Sequence, residues 1–143
     1  MKQAIIDTDT LSFFFRNRQE VVDKLNQYLE LYGVLNLSIV TYYEVLNGLL
    51  YKDAKKQLEK FERFVELNQI LPFDLNVARK AAEIYADLRK KGLVIGHNDV
   101  LIAATAIVND LVLVTNNTNH FGRISELVLD NWVIIPQGDD SPF

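Results

Sequence analysis

Residues 111–117 read LVLVTNN, four apolar residues closed by a threonine and two asparagines. A strand with one wet face alternates apolar and polar positions, whereas an unbroken apolar run belongs in a sheet covered on both faces, as parallel sheets are. Just upstream, residues 98–110 (NDVLIAATAIVND) are apolar nearly all round and rich in alanine, which predicts a buried, closely packed helix. Working outward, residues 3–6 (QAII) predict a first strand, followed by a turn at residues 8–10. A helix is expected over residues 20–32, with Val21, Val22, Leu25, Tyr28, Leu29 and Tyr32 on one face and Gly33 ending it. Residues 34–40 (VLNLSIV) read as a second strand, and Ser38 or Thr41 can cap a helix through residues 42–51. Residues 52–68 form the clearest amphipathic helix, with Leu58, Phe61, Phe64, Val65 and Leu67 on its apolar side. A short strand at residues 69–73, a helix at 76–92 with a basic last turn, and a last strand at 131–135 complete the order. Strands alternating with helices predict a parallel sheet in an α/β sandwich.

The chain has 143 residues, most simply one domain, which buries about two-thirds of the surface of its unfolded chain. That domain is expected over residues 1–135, with a loose tail at 136–143. With 49% hydrophobic and 24% charged residues, the core needs no covalent or metal staple. The lack of cysteine excludes disulfides, thiolate metal sites and cysteine nucleophiles, and fits a reducing cytoplasm. No stretch has the length of a membrane span, and the N-terminus lacks the layout of a signal peptide. A net charge of −4 argues against gripping nucleic acid through a general basic surface. A nucleic-acid enzyme stays open, because carboxylates gathered at one site and offset by a metal could account for the sign.

Ligands of open α/β sheets bind beyond the carboxyl ends of the strands. Asp7 follows the first predicted strand and residues 115–117 follow the covered one, so the two are expected to meet. Glu44 lies early in the helix after the second strand, and Asp99 begins the alanine-rich helix. Each has an ordinary reading too. Asp9 and Asp99 can be helix-start carboxylates, favoured by free N–H groups and the macrodipole. Glu44 can be a solvated helix residue, although its neighbours in residues 40–50 (VTYYEVLNGLL) are mostly apolar and a charge there needs a partner. Together the acids suit a hard divalent cation such as Mg²⁺ or Mn²⁺, which takes oxygen ligands and keeps water in its remaining positions. Such an ion can activate water for attack on a phosphodiester.

The segments IIDTDTLSFF (5–14), SIVTYYEVLNG (38–48), GHNDVLIAATA (96–106), VLVTNNTNHFGRI (112–124) and LVLDNW (127–132) together resemble the PIN-domain ribonucleases. The closer resemblance is to the VapC toxins of bacterial toxin–antitoxin pairs, and it covers nearly the whole chain. It implies a three-layer α/β/α sandwich with a mainly parallel central sheet. It also implies a Mg²⁺- or Mn²⁺-dependent endoribonuclease acting on structured tRNA or rRNA, neutralised by a VapB-like antitoxin and often homodimeric. By that comparison the catalytic residues are Asp7, Glu44 and Asp99, with Asp7 and Asp99 as metal ligands. The family often has a fourth acid two or five residues beyond the strand-ending threonine, where this chain has Asn117 and His120. Thr8, Asp9, Thr115, Asn117 and His120 are candidates for the site or its immediate support, Asp9 also as a cap of the following turn. An antitoxin tail could place Arg or Lys among the carboxylates and cover an apolar groove near residues 42–50 and 58–64. Arg16, Arg18, Arg89, Lys90 and Lys91 could contact an RNA backbone, though the last three also complement a helix end. His97 reads as a polar residue at a helix start.

Two other readings compete. The missing fourth acid leaves room for a PIN-like protein that binds RNA or an antitoxin without cutting. The Asp7–Asp9 spacing is also similar to that of the haloacid-dehalogenase phosphatases, but Leu11 stands where that motif has Thr or Val. Its later lysine and acidic motifs have no counterpart either, since the tandem acids Asp139 and Asp140 fall in the tail.

Overall fold

The computed structural model describes residues 1–134, so the predicted tail and the final residue of the predicted last strand, Ile135, lie outside the described residues. The strands are β1 (Ala4–Ile6), β2 (Asn36–Ser38), β3 (Gln69–Leu71), β4 (Val112–Val114) and β5 (Leu129–Asp130). They form one sheet in the order β3-β2-β1-β4-β5, and every pairing is parallel. The helices are α1 (Thr8–Phe15), α2 (Gln19–Tyr32), α3 (Ile39–Tyr51), α4 (Lys55–Glu66), α5 (Leu75–Lys91), α6 (His97–Val108) and α7 (Thr118–Phe121).

Side-chain alternation along the strands divides the core into two layers. Ile5 and Leu113 point to the face covered by Val77, Ala81, Ile84 and Leu88 of α5 and Ile102, Ala103 and Ala106 of α6. Ala4, Ile6 and Val114 point to the other, against Leu11 and Phe13, Val21, Leu25 and Tyr28, Val45, and Phe61. Helices therefore cover both faces of the sheet, the expected three-layer α/β/α sandwich. Alanines on α6 let that helix lie close to the sheet and to α5, as its composition implies. Among the described residues, no helix is long and apolar enough to cross a membrane.

Four local expectations change. The predicted turn at residues 8–10 is the first turn of α1, because Asp7 caps it and Leu11 and Phe13 are buried. Ile39 and Val40 leave the predicted second strand for α3, since the Ser38 hydroxyl accepts from Thr41 N and starts the helix. Leu67 lies beyond the end of α4 and is exposed rather than on its apolar side. The last strand is Leu129–Asp130, not residues 131–135. There Asp130 Oδ1 accepts from Asn131 N and Asn131 Oδ1 from Val133 N, turning the chain away. Trp132 and Val133 are then buried from a loop, with the Trp132 ring 6.3 Å from that of Tyr28.

Tyr28 also secures the start of the central strand. Its hydroxyl accepts from Ala4 N (3.0 Å) and donates to Ala4 O (3.2 Å), and Asn36 Nδ2 donates to the same carbonyl (3.0 Å). Tyr28→Phe would leave the Ala4 N–H buried without its acceptor while Asn36 still serves the carbonyl. The expected loss is about 1–3 kcal/mol of unfolding free energy. Urea denaturation monitored by circular dichroism measures it, and an unchanged midpoint would contradict the role given to this hydroxyl.

Candidate active site

The site begins where β1 stops. Asp7 N donates to Val114 O at 2.9 Å, extending the β1–β4 ladder by one rung before the chain turns into α1. The extended backbone of Asp7 lets its Oδ1 accept from Thr8 N (2.8 Å) as the N-cap of α1. Its Oδ2 accepts from the hydroxyl of Thr115, just past β4, at 2.8 Å. The carboxylate is thus both a cap and the centre of a polar cluster, and it is only 5% exposed.

Asp9 does not cap α1, because Asp7 takes that position. Its Oδ1 accepts from Thr10 N (2.6 Å), and its Oδ2 reaches across to accept from Asn116 N (3.1 Å). The Thr115 hydroxyl accepts in turn from Asn117 N at 3.0 Å. The two acids thereby fasten the loop between β4 and α7.

Glu44, on the second turn of α3, has the partners its apolar surroundings call for. Thr8 Oγ1 donates to its Oε1 at 2.6 Å, and Asn98 Nδ2 to its Oε2 at 3.4 Å. The Thr8 hydroxyl also lies 3.1 Å from that of Thr41. Asp99, half-buried in the first turn of α6, feels the charges of Glu44, Asp9 and His120. His120 is exposed on α7, with Nδ1 3.1 Å from Nδ2 of Asn117. Thr8, Asp9, Thr115, Asn117 and His120 therefore all border the three acids. The residues missed from sequence are Asn98 and Thr41 in its role beside Thr8, while Asn116 falls in the 115–117 segment expected to meet Asp7. Polar groups at the same strand exits and helix starts were the available signal.

Burial is the main electrostatic fact. It raises the carboxyl of Asp7 well above the usual range, with the charge of Asp9 adding to it, against the lowering effect of the bonds from Thr115 and Thr8. Asp9 is raised by burial, and Asp99 by burial and then by Glu44, with His120 opposing. Asp7 is the deeper of the first pair. Among the described residues, no Lys or Arg forms an ion pair with any of these acids. Like charges held together without a Lys or Arg partner fit a hard divalent cation. Among the described residues, no three Asp, Glu or His side chains converge tightly enough to enclose one. Magnesium commonly takes one or two carboxylates and keeps several waters, so the donor set suits it without further convergence.

Comparisons with known proteins point the same way. The PIN-domain family model matches residues 4–127. Ribonuclease VapC2 of Rickettsia felis is 35% identical over 101 residues, 70% of this chain and 75% of the relative. The tRNA(fMet)-specific endonuclease VapC of Shigella flexneri is 30% identical over 136 residues, 92% of this chain and 99% of the relative. Among solved structures, the DNA-bound VapBC complex of Salmonella typhimurium aligns with a TM-score of 0.84 and 28% identity, covering 93% of this chain and 100% of that one.

A carboxyl whose native pKa is raised favours the fold fully below its ordinary value of 3.8, and that contribution is lost as pH rises through the native value. Asp7→Asn keeps an N-cap oxygen and removes the buried charge. In metal-free protein its melting temperature should match or exceed that of wild type at about pH 7, with the gap widening as pH rises from about 4. Thermal unfolding in EDTA across that range tests this. A gap that narrows with pH would contradict the raised pKa.

Proposed function

The chain belongs to the PIN-domain family, and from that premise we propose that it is a VapC-type toxin, a divalent-metal-dependent endoribonuclease that hydrolyses phosphodiester bonds in structured RNA. The observation that carries this reading is the buried Asp7 carboxylate, pressed by Asp9 and Asp99 and given no basic partner among the described residues. Mg²⁺ or Mn²⁺ suits that cluster, with Asp7 and Asp99 as its protein ligands. When bound, the ion supplies charge neutralisation at the phosphate and a more acidic water.

The chain's own groups do the rest. Thr115 holds Asp7 Oδ2 in place, and Thr8 and Asn98 hold the two oxygens of Glu44. So oriented, Glu44 is the group placed to accept a proton from the attacking water. Asn117 and His120 border the cluster where the family's fourth acid often lies. There Asn117 can offer hydrogen bonds, and a protonated His120 a positive charge to a phosphate oxygen. The proposed substrate is a tRNA or rRNA, met in the cytoplasm, and the homodimer is proposed from the family resemblance.

A VapB-like antitoxin is the proposed partner. Tyr43, Leu50 and Tyr51 are exposed along α3, Leu46 of α3 and Leu58 of α4 are half-buried, and Phe64 of α4 packs on Phe14 and Phe15 of α1. This is the apolar surface expected for an antitoxin helix, from which a basic side chain can reach the carboxylates in competition with metal. The second reading, binding without cutting, is favoured by one observation: Asn117 and His120 in place of the fourth acid.

Purified protein with Mn²⁺ should cleave tRNA or rRNA, and Asp7→Asn and Asp99→Asn, while still folded, should reduce the rate by more than about 100-fold. RNA bound but left intact by wild type would establish the non-cutting reading instead. Independently of cleavage, metal at about 100 times its Kd should add about 2.7 kcal/mol to stability. Calorimetry should find that gain in wild type and lose it in Asp7→Asn, and an equal gain in both would remove Asp7 from the metal site.

A further inference from the structure

α6 starts with an aromatic stack two residues before Asp99. The exposed His97 ring lies on Tyr85 of α5, with 4.4 Å between centroids and 25° between planes. Arg89, one turn along α5, holds its guanidinium 5.8 Å from the centroid of the same Tyr85 ring. Arg89 belongs to the basic end of α5 with Lys90 and Lys91. Lys91 pairs with Asp87 at 2.9 Å, whereas Arg89 has no carboxylate partner among the described residues.

The position of the stack gives it meaning. His97 precedes Asp99 by two residues on α6, so the two side chains leave the same helical turn on opposite sides and the stack is separate from the acid cluster. The intervening Asn98 reaches Glu44. Arg123, which follows α7, donates Nη1 to Val94 O at 3.2 Å, tying the segment that carries His120 to the loop that leads into His97. Arg89 over Tyr85 and Arg123 bonded to the loop before α6 thus bring two guanidinium groups to the elements that flank His97, in a chain whose net charge is −4.

We propose that the Tyr85–His97 stack and Arg89 form a seat for one unpaired nucleotide of the bound RNA, outside the acid cluster. The base stacks on the free face of His97, and Arg89 contacts the adjoining phosphate. Bases in a duplex have no free face, so the seat selects a loop or single-stranded segment. This assignment rests on the ribonuclease reading above and deepens it by naming residues that position the RNA.

The test uses full-length protein and single-stranded oligoribonucleotides carrying 2-aminopurine at successive positions. In the Asp7→Asn background, which binds without cutting, fluorescence should be quenched at one position. His97→Ala should abolish the quenching and His97→Phe should keep it. In Mn²⁺-dependent cleavage, His97→Ala should raise KM about 10-fold, and Arg89→Gln several-fold, with kcat changed less than about 2-fold. His97→Phe should restore KM, which a merely structural role for the imidazole would not produce. Unchanged quenching and KM in His97→Ala, with cleavage intact, overturns the seat and leaves the ribonuclease reading standing. His97-dependent quenching in a wild-type protein that never cleaves does the reverse. Failure to bind any RNA overturns both.

Discussion

The hydrogen bond from Asp7 N to Val114 O, 2.9 Å long, is the constraint on which the rest of the site depends. It fixes the register in which the central strand leaves the sheet, and so brings the Asp7 carboxylate against the hydroxyl of Thr115. The same residue then starts α1 by capping it. Once β1 and β4 are aligned, Thr8 is delivered to Glu44 and Asp9 to the loop after β4. Shifting this register by one residue would turn every side chain of β1 to the opposite layer of the core. Packing of Ala4, Ile5 and Ile6 therefore protects the geometry of the acids.

Much of this was readable from residue type and spacing because the signals were local. The apolar run at 111–114 announced a covered strand, the helical periods placed α2, α4 and α5, and the acids stood at strand exits where such sheets gather ligands. The errors share a cause. A carboxylate after a strand looks the same whether the next residues turn or begin a helix, so α1 was read as a turn at its start. The apolar character of Trp132 and Val133 reports burial, which a loop closed by Asp130 and Asn131 achieves as well as a strand does. The bond from Asn116 N to Asp9, and the placing of Tyr85 under His97, join residues from separate elements and leave no periodic trace.

The carboxylates are also where the protein departs from what stability alone would choose. Most of the core is apolar and well covered, yet Asp7 sits in it beside Asp9 with its charge disfavoured by burial. Local rules and global fold agree nearly everywhere else, and such a departure is characteristic of functional sites. The Thr115 hydroxyl and the backbone N–H groups of Thr8, Thr10 and Asn116 moderate the cost by giving each oxygen of Asp7 and Asp9 a defined donor. Those bonds also hold the oxygens still, which is the condition for acting on a ligand without first reorganising.

The parallel pairing of β1 with β4 has a consequence for synthesis. Asp7 and Thr115 are 108 residues apart in the chain and meet only in the finished sheet. Such distant contacts form slowly, and during translation they cannot form until β4 has left the ribosome. The carboxylates are therefore scattered throughout most of the chain's elongation. A growing chain gains Asp7, Asp9 and Glu44 early but cannot seat Asp7 against Thr115 or Asp9 against Asn116 until β4 has emerged, so the finished cluster is withheld from the ribosome for most of synthesis.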